Sequence, residues 1–250
     1  IGIVTVVLLA IIGIILYIMF LYNPALLNGV ADARYTIELP PSDNLANTNN
    51  EFTLSFWYYI DGWKYKYNET KSILNWDSGK LKVDINSVDN TMVVSMKDLD
   101  DKTHECVIED IKLQKWNFVC LTLWNRSLDI ILDDKYSQSC SQDTSPDYSN
   151  SSSMILLGDN EYGGQASAGF NGSISNVYFY NYARRFEETM DLYHKGPYYK
   201  SLWSSISAAL KGAINITYSV DINLNIDQDI VNADLSDVQL ATQGGIGATF

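Results

Sequence analysis

The stretch Phe52-Thr53-Leu54-Ser55-Phe56-Trp57-Tyr58-Tyr59 carries the pattern from which the rest of the chain is read. Phe52, Leu54, Phe56 and Tyr58 alternate with Thr53, Ser55, Trp57 and Tyr59. Successive side chains of a strand point to opposite faces, so this period of two marks a β-strand with one apolar face. Working outward, further short apolar runs occupy residues 92–96, 106–108, 116–123, 128–132, 155–157 and 174–180. Turn residues fall between them, as in Asp77-Ser78-Gly79, Asp89-Asn90 and Asp133-Asp134. Short strands at this spacing, with no helical pattern between them, predict an all-β fold, an antiparallel β-sandwich or jelly roll.

Composition narrows the function. The chain of 250 residues holds 30 acids against 17 bases, a formal charge of −13. No charge precedes Asp32. Such a balance excludes nucleic acid as a partner, because phosphate backbones require a basic surface. Only two histidines, His104 and His194, and three cysteines, Cys106, Cys120 and Cys140, are present, too few for a His- or Cys-rich metal centre. His104 lies beside Asp100 and Asp101 and reads as an exposed turn; His194 precedes Gly196-Pro197 and reads as a helix C-terminus. Neither pattern points to catalysis. Cys120 reads as a small apolar strand residue.

Residues 1–22, IGIVTVVLLAIIGIILYIMFLY, are uncharged. At ~1.5 Å per residue a helix of that length spans ~33 Å, matching the ~30 Å hydrocarbon core of a bilayer. Tyr17 and Tyr22 suit the headgroup zone, and Asn23-Pro24 is a helix stop. The expectation is an N-terminal transmembrane helix over 1–22, a linker over 23–33, and a single-pass membrane protein.

Four stretches together resemble a known family. Phe52-Thr53-Leu54-Ser55-Phe56-Trp57, Trp116-Asn117-Phe118-Val119-Cys120-Leu121-Thr122 and Leu128-Asp129-Ile130-Ile131-Leu132-Asp133-Asp134-Lys135 follow in the order of the laminin-G-like, concanavalin A-like lectin/glucanase jelly roll. Gly169-Phe170-Asn171-Gly172-Ser173-Ile174-Ser175-Asn176-Val177-Tyr178-Phe179-Tyr180-Asn181-Tyr182-Ala183 resembles its closing stretch. The resemblance implies a jelly-roll domain over 34–196. Asp134 stands where the family's hairpin has Gly, which predicts a left-handed residue there. Gly169 and Gly172 predict a close backbone approach, and Glu187, Glu188, Met190, Leu192 and Tyr193 predict a short helix on the sandwich edge.

That family includes glycan binders, calcium binders, glycosidases and structural modules, and fold alone does not choose among them. A retaining glycosidase of this fold needs closely spaced carboxylates on one strand. Glu105, Glu109 and Asp110 come nearest but lack the middle Asp, so no enzyme activity is expected. Calcium needs six to eight oxygens from loops. Asp77 and the cluster Asp159-Asn160-Glu161 are the candidates, although the Asp-x-Asx-x-Asx-Gly loop is absent. No other cofactor is expected. Trp57, Tyr59, Trp63 and Trp76 are the candidate sugar-stacking aromatics.

Residues 197–250 lie beyond the resemblance. A helical pattern over 201–211 precedes Ile214, Ile216, Tyr218, Val220, Ile222, Leu224 and Ile226, each separated from the next by a polar residue. That alternation predicts a long strand whose apolar stripe docks on another subunit. The first functional expectation is therefore a membrane-anchored structural protein that docks a jelly roll to a larger assembly. Anchored chains of this kind resemble minor capsid or membrane components of large DNA viruses, which implies a virion membrane or capsid layer. The alternative is a cell-surface, lectin-like glycan-binding module, with a glycosidase third.

Overall fold

The computed structural model describes residues 5–8, 10–14, 24–39, 45, 48, 50–146, 148, 153–157 and 169–200. The chain forms two units, Ile1–Tyr199 and Lys200–Phe250. The alternating stripe Ile214, Ile216, Tyr218, Val220, Ile222, Leu224 and Ile226 lies outside the described residues, as do Asp159, Asn160 and Glu161. Residues 5–8 and 10–14 are helical, and among the described residues no helix is long and apolar enough to cross a membrane. The remaining residues of the expected span fall outside the description.

The first unit holds twelve described strands: β1 (Ala25–Asp32), β2 (Ile37–Leu39), β3 (Glu51–Gly62), β4 (Lys71–Trp76), β5 (Leu81–Asn86), β6 (Thr91–Lys97), β7 (Thr103–Ile108), β8 (Trp116–Trp124), β9 (Ser127–Leu132), β10 (Lys135–Ser141), β11 (Met154–Leu156) and β12 (Asn171–Tyr180). Helix α1 (Phe186–Lys195) follows. The strands form two six-stranded sheets, ordered β1-β12-β3-β8-β9-β10 and β2-β11-β4-β5-β6-β7. All the pairings are antiparallel. The expected two-sheet sandwich is what forms.

Alternation sets the core. Phe52, Leu54, Phe56, Tyr58 and Ile60 of β3 point inward with Val119, Leu121 and Leu123 of β8, and are at most 2% exposed. An aromatic cluster ties the sheets together. Trp76 from β4 meets Phe52 edge-on at 5.1 Å, Phe179 edge-on at 5.1 Å, and stacks on Tyr148 at 4.6 Å. Tyr148, fully buried, discharges its hydroxyl by donating to the Lys80 carbonyl at 3.1 Å, as a buried phenol must. Cys106 on β7 and Cys140 on β10 form a disulfide, Cα to Cα 6.2 Å. It joins the last strand of one sheet to the last strand of the other. With its ends 34 positions apart in sequence, loop-closure entropy assigns it roughly 3–4 kcal/mol.

The glycine expectation holds at both positions. A Cβ on Gly172 would sit 1.9 Å from the Tyr59 carbonyl oxygen, and one on Gly169 would sit 2.0 Å from that of Ala33. Two expectations are corrected. The left-handed residue of the β9–β10 hairpin is Asp133 (φ 55°), not Asp134. Its carboxylate accepts from the Phe118 N–H at 3.0 Å and pairs with Lys115 at 2.9 Å, which offsets the backbone cost. Helix α1 packs on the outer face of the first sheet rather than on an edge. Leu192 is buried there against Trp57, Phe118, Cys120, Ile131 and Tyr178. Gly196 (φ 74°) closes the helix, its N–H donating to the Tyr193 carbonyl.

The chain also stays on the sandwich beyond the expected boundary at 196. Asn176 donates to the carbonyls of Gly196 and Pro197 at 3.1 and 3.2 Å. The Trp116 indole N–H donates to the Tyr198 hydroxyl at 2.9 Å.

His104 is not an exposed turn. It lies on β7, half-buried, with Nε2 2.8 Å from Asp98 Oδ2. The other Asp98 oxygen accepts from the N–H groups of Asp100 and Lys102 at 2.9 and 3.0 Å, so one carboxylate organises the β6–β7 hairpin. The His104 hydrogen bond, seconded by those N–H groups and opposed by burial, holds the Asp98 carboxyl below the usual range. A carboxyl whose folded pKa is depressed stabilises the fold above its unfolded value of ~3.9 and loses that contribution as pH falls through the folded value. Asp98→Asn is therefore expected to be less stable at neutral pH and to show a shallower loss of stability below about pH 4. Urea denaturation across that range measures both; an acid limb identical to the wild type contradicts the assignment.

Candidate functional site

The aromatics singled out from the sequence divide sharply. Trp76 is fully buried in the inter-sheet cluster. Trp57 is 7% exposed because α1 covers it, Tyr193 stacking on its ring at 5.5 Å. Neither offers a face to a sugar, which corrects the expectation for both. Trp63 is half-buried against the core. Tyr59 is half-buried, 5.7 Å from the Trp116 ring, and lines a cleft of about 360 Å³.

That cleft is polar but self-satisfied. Its Arg34 pairs bidentately with Asp32, at 3.0 Å from Nε to Oδ1, and this holds the Asp32 carboxyl down to about 2. Asp61 accepts from Asn171 at 3.0 Å. Arg34 is thus matched to Asp32, and one oxygen of Asp61 to Asn171.

The metal candidate Asp77 sits in the β4–β5 turn with φ 47°, its carboxylate 2.9 Å from Lys80 Nζ. Among the described residues no cluster of three or more potential metal ligands forms. Glu105 and Glu109 are both exposed, Glu105 on the outer side of β7 opposite Ser95.

A second cleft, of about 480 Å³, opens at the other end of the first sheet. It is lined by Trp124, Arg126, Ser127, Ser141, Gln142 and Asp143. Sequence reading passed over all six. Alternation along β8 puts Trp116, Phe118, Cys120, Thr122 and Trp124 on the outer face, opposite Tyr59, Trp57, Ser55, Thr53 and Glu51. Phe118 and Cys120 meet α1, but Trp124, the last residue of the strand, remains 58% exposed. The two-residue turn Asn125-Arg126 then reverses the chain, Asn125 taking φ 54°, and Trp124 pairs with Ser127. The usable signal was an outward-parity Trp immediately before an Asn-led turn.

Local hydrogen bonds fix the cleft's rim. Arg126 Nη1 donates to the Asp143 carbonyl at 3.0 Å, and the Gln142 N–H donates to the Arg126 carbonyl at 2.9 Å. The Asp143 carboxylate forms an ion pair with Lys102, which lowers the Asp143 pKa and raises that of Lys102. Ser127 and Ser139 hydroxyls are 2.7 Å apart. Gln142 is 4% exposed, and its amide has no hydrogen-bond partner among the described residues. The arrangement sets one exposed aromatic face beside an open, mostly polar cleft.

Solved structures of similar fold include the botulinum neurotoxin serotype D binding domain, with TM-score 0.52 at 13% identity over 66% of this chain. The serotype G binding domain gives 0.51 at 16% identity over 67%. The serotype D ligand binding domain in complex with N-acetylneuraminic acid gives 0.50 at 14% over 68%. At these identities the likeness shows the fold alone. The chain spans 41–44% of the length of these neighbours. No curated protein matches it in sequence. The model of the concanavalin A-like lectin/glucanases superfamily matches residues 32–188, more than half of the chain, and the chain belongs to that superfamily.

Proposed function

We propose that the sandwich is a lectin-like module that binds a glycan at the Trp124 cleft without hydrolysing it. The observation that carries this reading is the 58% exposed indole of Trp124 at the mouth of a polar cleft. A sugar ring has an apolar C–H face that stacks on an aromatic and a rim of hydroxyls that needs polar partners. Trp124 offers the first, and Arg126 and the adjacent serines offer the second. A neighbour of the same fold is in complex with N-acetylneuraminic acid, which lends the reading support. The exposed Glu105 and Glu109 lie on β7 and beyond it, and neither lines the cleft, so binding without turnover is the chemistry proposed. Trp124→Ala is expected to lower glycan affinity at least tenfold, about 1.4 kcal/mol, with stability unchanged. Trp57→Ala is expected to do the opposite, costing roughly 3–5 kcal/mol of stability while the folded fraction binds normally. A glycan array with both variants, alongside thermal unfolding, separates them. Equal binding by wild type and Trp124→Ala overturns the assignment of the cleft.

A second reading rests on the N-terminal segment. Val6, Val7, Leu8, Ile11, Ile12 and Ile14 lie in its helical residues and are 43–66% exposed. Aliphatic side chains bared around a helix call for an apolar surrounding, and we infer that this segment enters a bilayer and tethers the module, as in a membrane or virion assembly. The full chain is then expected to stay in the membrane pellet through an alkaline carbonate wash; release into the supernatant contradicts the tether.

A further inference from the structure

Disulfides form and persist in oxidising compartments, and the Cys106–Cys140 bridge marks the sandwich as a domain that folds in one. Proteins of such compartments carry N-linked sugar on Asn-x-Ser/Thr tripeptides at their surface. Three of these tripeptides fall among the described residues, at Asn68, Asn125 and Asn171. Sugar transfer brings the Asn amide and the hydroxyl two residues on to one catalytic centre, and the folded domain must then carry a bulky group at that point. Both residues therefore have to stand clear of the sheets.

Two of the three fail that requirement. Asn171 and Ser173 lie on β12, which is paired on both sides, with β1 and with β3. Asn171 is half-buried, and its Nδ2, the atom that would take the sugar, donates to Asp61 at 3.0 Å. Asn125 is exposed in the β8–β9 turn, but Ser127 is half-buried on β9, paired with both Trp124 and Ser141, its hydroxyl 2.7 Å from that of Ser139. Asn68-Glu69-Thr70 lies wholly in the connection between β3 and β4, outside any strand, and all three residues are exposed. Asn68 takes φ 66°, and the buried Lys71 holds the main chain around it, its Nζ donating to the carbonyls of Lys66 and Glu69 at 2.6 and 2.9 Å. We propose that Asn68 is an N-glycosylation site and that Asn125 and Asn171 are not. In the transfer, Asn68 Nδ2 attacks the anomeric carbon of a lipid-pyrophosphate-linked oligosaccharide. The N–C bond forms as the bond from that carbon to the pyrophosphate oxygen breaks, the lipid pyrophosphate leaves with the electron pair, and the amide gives one proton to the transferase. The connection leaves β3 at Gly62, the end opposite the one where Glu51 pairs with Trp124. The attachment point is thus remote from the Trp124 cleft, and the inference stands apart from the glycan-binding reading.

The test takes the full chain from the cells that make it, isolated without reductant. Peptide N-glycosidase removes N-linked sugar and turns the Asn that carried it into aspartate, and mass spectrometry of tryptic peptides reads each position. The peptide over 67–71 is expected to show the conversion, and the peptides holding Asn125 and Asn171 are expected to keep Asn. A control without the enzyme subtracts spontaneous deamidation, to which the Asn171-Gly172 step is prone. Thr70→Ala leaves Asn68 in place and removes only an exposed hydroxyl, so it is expected to lose the modification and to match the Tm of the deglycosylated wild type. An unconverted Asn68 beside an intact Cys106–Cys140 bridge overturns the assignment. So do free thiols at both cysteines, conversion at Asn125 or Asn171, or conversion at Asn68 that survives in Thr70→Ala. Each of these outcomes leaves the Trp124 reading standing, and that reading fails separately, on a blank glycan array.

Discussion

Strand β3 is buried on both of its faces, and most of what matters in this molecule follows from that. Inward, Phe52, Leu54, Phe56, Tyr58 and Ile60 close on the second sheet. Outward, Thr53, Ser55 and Trp57 are buried too, Trp57 because α1 lies across it. A strand at the centre of a sandwich ordinarily has one wet face. Here the helix supplies a third layer, with Leu192 and Tyr193 as its contact residues. The helix is short, ten residues, so it covers only the middle of the sheet. Tyr59 and Trp124 lie toward opposite ends of its outer face.

The two clefts at those ends differ in how their polar groups are used. Around Tyr59, Asp32 is matched to Arg34 and Asp61 to Asn171. Around Trp124, the charges are matched but Gln142 is not. The disulfide between Cys106 and Cys140 holds the last strand of each sheet together, β10 leading directly into Gln142 and Asp143. The cleft rim is thus built on a covalently braced edge rather than on a free loop.

The fold was legible because period-two alternation is a local property of the chain. Phe52 to Tyr59 gave both the strand and the parity, placing Trp57 opposite Phe56, and the order of four stretches led to the family. The candidate site was much less so. Whether an outward aromatic stays in water depends on what returns to cover it, and nothing near Trp57 announces a helix 130 residues later. Strand β4 hid Trp76 differently: all six of its residues are buried, so it shows no alternation to read. The candidate rings Trp57, Tyr59, Trp63 and Trp76 are all buried or half-buried, whereas the exposed ring is a single Trp before a turn. Asp133 replaced Asp134 as the left-handed residue because a tertiary partner, the Phe118 N–H, favours that position.

Helix α1 withdraws Trp57 from solvent, and Trp124 is left as the exposed ring that the proposed glycan would meet. Indole N–H resonances of the six tryptophans, assigned by single substitutions, report each ring separately. During titration with a bound glycan, the account predicts that the Trp124 resonance shifts while those of Trp57 and Trp76 stay in place. A shift centred on Trp57, with Trp124 unmoved, would contradict it.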